Sequence, residues 1–115
     1  MSIKARTELN GKIAIIEIRG SLVGDGDTDK FRAGVQDFIE QGNKCLVVDL
    51  GKANYINSSG IGAIIAAHAT YNRSGGQVCL AGLSNNVQNL LVVTKLIDVF
   101  DVFDTVEDAV ESFRK

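Results

Sequence analysis

The sequence predicts an α/β fold: a mixed, mostly parallel sheet of four to five strands, with about four helices and an antiparallel hairpin at the N-terminus. Three observations carry that expectation. Runs of β-branched residues such as "IAIIEIRG" alternate along the chain with stretches whose apolar residues recur at helical spacing. "KCLVVDL" and "QVCLAGL" are continuous apolar runs, the pattern of strands buried on both faces. Asn10 and Gly11 separate two strand-like stretches, and Asn-Gly is a strong hairpin turn.

The elements follow in order. "IKARTEL", the turn "NGK" and Ile13–Gly20 form the hairpin. Phe31, Val35, Phe38 and Ile39 then mark a first helix, with Asp27 and Thr28 as candidate N-caps and Gly42 as its C-terminal cap. "KCLVVDL" is the central strand. A second helix runs from Ser59 to about Arg73, its stripe formed by Ile61, Ile64, Ile65, His68 and Asn72. "SGG" closes it, and "QVCLAGL" is the next buried strand. Ser84 caps a short helix within residues 85–96, and "VFDVFD" alternates as a short edge strand. Thr105 starts a terminal helix buried through Val106, Ala109, Val110 and Phe113.

Composition bounds the function. A chain of 115 residues fits one domain, 1–115, with 45% hydrophobic and 23% charged residues, the balance of a globular protein. The net charge is −2 and the cations are scattered, which argues against a nucleic-acid partner. Tryptophan and proline are absent, so no polyproline ligand segment exists. The apolar runs fall far short of the ~20 residues that cross a bilayer, so no membrane insertion is expected. The start "MSIKARTELNGK" has no apolar signal core, and the expected location is the cytoplasm.

"NYINSSGIG" follows the central strand, at the strand end where open α/β sheets gather their functional groups. A helix beginning there offers unpaired N–H groups and a partial positive charge, which welcome a phosphate. Two glycines in one first turn cost roughly 1 kcal/mol each relative to alanine. Two readings stay open from the residues alone. Ser58, Asn57 and the glycines serve capping and tight packing, or Gly60 and Gly62 keep the backbone bare for a partner or a phosphate. The stretch matches neither G-x-x-x-x-G-K-[ST] nor G-x-G-x-x-G, so nucleotide binding of those kinds is not expected.

No catalytic, cofactor or metal site is expected. Ser58 or Ser59 as a nucleophile needs a base, and His68, the one histidine, lies roughly 13–15 Å along the same helix. Asp49 ends an apolar run and equally suits a hydrogen bond to the following turn. Asp25, Asp27 and Asp29 mimic a calcium loop, but Lys30 stands where that loop needs glycine. These acids suit the positive end of the first helix. Cys45 and Cys79 sit in apolar runs without metal or redox spacing and read as small buried residues.

On "LVVDLGKANYINSSGIGAII" above all, and on "GGQVCLAGLSNNVQNLL", residues 3–113 resemble a STAS domain of the bacterial anti-sigma factor antagonist type. The family pattern is an apolar strand ending in D-L, a short polar stretch, then D-S-[ST]-G-[LI]-G. The resemblance implies a STAS-like sheet and a non-enzymatic binding module. It implies phosphorylation at Ser58 by an anti-sigma factor with serine kinase activity, reversed by a PP2C-type phosphatase. The unmodified form would bind the anti-sigma factor and free the sigma factor. The implied partner surface comprises Asn57, Ser58, Ser59, Gly60, Ile61 and Gly62, with Ser21 and Asp25 from the loop after the second strand. Asn57 replaces the family's usual Asp, and Ser21 and Val23 replace its usual acids. An unphosphorylated accessory subunit of a membrane lipid-transport ATPase is the alternative the resemblance allows.

Overall fold

The hydrogen bonds of the hairpin set the first pair of strands. In the computed structural model, which describes residues 2–22 and 25–114, β1 (Ser2–Glu8) pairs antiparallel with β2 (Ile13–Leu22) across the Asn10–Gly11 turn. The sheet order is β1-β2-β3-β4-β5, and every later neighbour is parallel. β3 spans Cys45–Ile56, β4 Gln77–Ala81 and β5 Asp101–Phe103. Parallel strands require crossovers, supplied by α1 (Asp25–Glu40), α2 (Ser58–Arg73) and α3 (Asn85–Val93), and α4 (Val106–Arg114) closes the chain. A single 3₁₀ turn, Leu96–Asp98, links α3 to β5.

The core has two unequal halves. Phe31, Val35 and Phe38 of α1, Ile64 and Tyr71 of α2, and Val87 and Leu91 of α3 pack on Ile16, Ile18, Leu46, Val48 and Leu80. On the opposite face, among the described residues, only α4 covers the sheet, through Val106 and Ala109 against Ile13, Ile15, Val47 and Cys79. The uninterrupted apolar runs of β3 and β4 are the strands that both layers touch.

Four features correct or sharpen the sequence expectation. α1 begins at Asp25, so Asp27 and Thr28 lie in its first turn and are not its N-caps. β3 runs on to Ile56, because Lys52, Ala53, Tyr55 and Ile56 pair with the end of β2 after register shifts. α3 stops at Val93, where Thr94 folds its hydroxyl back on Leu90 O at 2.8 Å and Lys95 adopts φ +64°. The inward stripe of α2 is Gly60, Ala63, Ile64, Ala67 and Tyr71, whereas Ile65 is 40% exposed and Asn72 is exposed. Small residues face the sheet there and let the helix lie close to it.

Other expectations hold. Gly42 (φ +84°) ends α1, with Asn43 N donating to Phe38 O and Gly42 N to Ile39 O, each at 3.0 Å. The Ser84 hydroxyl accepts from Val87 N at 3.3 Å and that of Thr105 from Asp108 N at 3.0 Å, so both are caps.

Candidate functional site at the start of helix α2

β3 delivers the chain to α2 through one residue, Asn57. Its backbone is extended, and its side-chain oxygen accepts from Gly60 N at 3.0 Å. Its carbonyl accepts from Ile61 N at 2.9 Å. Asn57, not a serine, is therefore the N-cap, and Ser58 and Ser59 become the first two helical residues. Both are exposed. The cap satisfies the Gly60 donor and leaves the N–H groups of Ser58 and Ser59 without helical partners. No acidic residue lies in the first turn and Arg73 stands in the last, so the positive end of the dipole at Ser58 is not neutralised by its own helix.

The two glycines have separate roles. Gly60 is buried on the inward stripe. A Cβ built on Gly62 meets nothing within 4 Å, so that position leaves an open patch of backbone. Ile61 is half-buried and packs at the margin of the larger core.

The ends of β2 and β3 lie side by side, with Ser21 in register with Tyr55 and Leu22 with Ile56. This brings the backbone entering α1 to the same end of the sheet as the start of α2. The side chains of Ser21 and Asp25, and the whole of Val23, lie outside the described residues. An apolar groove that the sequence did not reveal adjoins this end, lined by Tyr55 and Ile56 of β3 and by Asn86, Asn89, Leu90 and Val93 of α3. Its one cue was "NYI", an aromatic beside the serine pair and inside what reads as a loop.

The remaining candidates lie elsewhere. His68 is on the same continuous helix as Ser58, ten residues on, with Nε2 3.1 Å from the Asn72 amide and its ring edge-on to Phe100 at 5.1 Å. Asp49 does not end its strand: it lies mid-strand in β3, no turn follows it, and it accepts from Gly51 N of the same strand at 3.0 Å. Among the described residues no group of three His, Cys, Asp or Glu is placed to hold a metal ion. No helix among them is long and apolar enough to cross a membrane. Cys45 and Cys79 are free thiols, Cys45 half-buried and Cys79 buried. Burial, with the Asp101 and Cys45 charges adding to it, pushes the Cys79 thiol up to about 12 and leaves it inert as a nucleophile.

A STAS domain model matches residues 4–109. The chain belongs to the STAS domain family. This STAS chain is 23% identical over 106 residues to the anti-sigma F factor antagonist of Paenibacillus polymyxa, covering 90% of this chain and 89% of that one. It superposes on the unphosphorylated anti-sigma factor antagonist SpoIIAA with a TM-score of 0.85 at 18% identity, over 98% of this chain and 96% of that one. Against the phosphorylated form of the Bacillus cell fate determinant SpoIIAA the TM-score is 0.79 at 17% identity, over 97% and 99% of the two chains. Asn57 caps the helix through an amide oxygen and so brings no charge to its start.

Proposed function

We propose that this STAS chain is a cytoplasmic anti-sigma factor antagonist, a binding module that performs no chemistry of its own. Its partner is an anti-sigma factor with serine kinase activity, and Ser58 is the residue that kinase modifies. A PP2C-type phosphatase restores the free hydroxyl. The docking surface is the start of α2, Asn57 to Gly62, together with Ser21 and Asp25 at the entry to α1.

The observation that carries the reading is the setting of Ser58. Its side chain is exposed in the first turn of a helix whose cap is supplied by its neighbour. Modification therefore breaks no hydrogen bond that holds the fold together. A phosphate there adds about −1.5 to −2 charges, which the helix end accommodates. The same charge in the middle of a docked surface costs several kcal/mol, a loss of orders of magnitude in affinity. The relative's name, anti-sigma F factor antagonist, supports the identity of the partner.

The test is a pulldown from the native host with wild type, Ser58→Ala and Ser58→Asp, with mass spectrometry of Ser58 across growth conditions. We expect one phosphoserine and a captured ATP-dependent serine kinase. Ser58→Asp should lose that partner by about 100-fold or more while its circular dichroism stays unchanged. An unmodified Ser58 together with normal binding by Ser58→Asp would overturn the reading. Capture of an ABC ATPase instead would assign the chain to a transporter.

A further inference from the structure

The groove beside α3 has a property that a simple apolar hollow lacks: one wall is an unpaired strand edge. β4 pairs with β3 only from Cys45 to Asp49. β3 then continues to Ile56 with β2 as its one strand neighbour. Gly51 N is taken by the Asp49 carboxylate, and Lys52–Ile56 beyond it have no strand neighbour on the β4 side; of these, Tyr55 and Ile56 line the groove. Those five residues span roughly 16 Å. Backbone donors and acceptors without strand partners are a template for another extended chain.

The opposite wall is α3. Between the two lies a space of about 410 Å³, lined by Tyr55, Ile56, Asn86, Asn89, Leu90 and Val93. Tyr55 is 56% and Val93 80% exposed, large values for apolar side chains facing one hollow. No lining residue carries a charge. A nucleotide or lipid headgroup would find no counter-charge there. An apolar side chain would bury itself against Tyr55, Leu90 and Val93, and the Asn86 and Asn89 amides at the rim can bond the backbone on either side of it.

We propose that this groove receives an extended, uncharged peptide segment of a protein partner, which adds to the free edge of β3 and anchors one apolar side chain against α3. Main-chain hydrogen bonds to Lys52–Ile56 supply affinity, and the hollow selects the anchor. The proposal does not rest on modification of Ser58.

The probes are blocked, Ser/Thr-rich heptapeptides with a central Leu, Ile, Val or Phe, titrated into the ¹⁵N-labelled unmodified chain. At millimolar peptide, we expect amide shifts confined to Lys52–Ile56 and Asn86–Val93 for at least one anchor. N-methylation of alternate peptide amides should weaken binding by about tenfold or more, since it removes the main-chain bonds. Val93→Asp, a change at an exposed position, should do the same and keep the fold. Absence of shifts for every anchor overturns the proposal, as does equal binding of the N-methylated peptides. Concentration-dependent dimerisation that protects the Lys52–Ile56 amides would also overturn it, by making a second copy the occupant. Because the titration uses unmodified protein, its failure leaves the Ser58 reading standing, and failure of that reading leaves the titration unaffected.

Discussion

At the scale of single residues, the glycines of this chain separate structural need from surface use. Gly76 is structural. A Cβ there would collide with the Lys44 carbonyl, because Gly76 N donates to Tyr71 O and Gln77 N to Lys44 O where α2 hands over to β4. Gly62 has no such neighbour. Alanine at Gly62 should therefore stabilise the chain by about 0.5–1 kcal/mol through helix propensity alone. Alanine at Gly76 should cost about 2–3 kcal/mol by overpacking against backbone that cannot yield. Urea unfolding of the two variants checks both signs. A Gly62→Ala protein that is more stable yet binds its partner more weakly would mark that bare patch as contact surface. The residue that sequence reading placed least well was the cap. Ser58 was as good a candidate as Asn57 by type, and only the backbone conformation and the bond to Gly60 N decide between them.

At the scale of elements, most of the fold was legible because burial and period agree. α4 buries Val106 and Ala109 and half-buries Val110 and Phe113, as its spacing dictates. β4 is apolar from Val78 to Ala81 because helices cover both of its faces there. The second half of β3 was illegible for a physical reason. Its buried residues Leu50, Ala53 and Ile56 recur every third position, a period of neither strand nor helix, produced by irregular pairing with β2. The inward stripe of α2 departs from the one its large apolar residues predict, because close approach to the sheet selects Gly60, Ala63 and Ala67. One element junction was invisible as well. Buried Asn43 donates to Gly11 O at 3.0 Å, and its oxygen accepts from Cys45 N and from the Tyr71 hydroxyl, each at 3.2 Å. It thus ties the hairpin turn, the start of β3 and the end of α2. Asn43→Ala unpairs the buried Tyr71 hydroxyl and two partly buried backbone groups, Gly11 O and Cys45 N, and should cost about 2–3 kcal/mol, against about 0.5–1.5 kcal/mol for Tyr71→Phe, which removes one hydroxyl. A shift in the urea midpoint with an unchanged slope is the expected result for both.

At the scale of the whole molecule, the uneven layering leaves a sheet face that polar groups must finish. Three helices cover one side and α4 alone the other, so along β2 the α4 side changes from Ile13 and Ile15 to Glu17 and Arg19. Glu17 is 9% exposed. Its carboxylate accepts from Arg19 Nε at 3.0 Å and lies 3.6 Å from Lys52 Nζ, with Lys4 in register on β1 and Asp49 on β3. Burial by itself would raise the Glu17 carboxyl. The Arg19 hydrogen bond and the charges of Arg19, Lys52 and Lys4 together outweigh it and hold the group below the usual carboxylate range. A carboxyl lowered in the folded state binds protons less readily than in the unfolded chain. Its contribution to stability is therefore complete above the unfolded value, near 4.5, and is lost as pH falls through the lower folded value. Glu17→Gln should cost about 1–2 kcal/mol at pH 7. Because Arg19 and Lys52 stay partly solvated, the cost should not reach that of an isolated buried charge. Unfolding free energies of wild type and variant, measured from pH 7 downward, should run parallel to about pH 5 and converge below it. Parallel curves throughout would show that Glu17 holds this face by packing and not by charge.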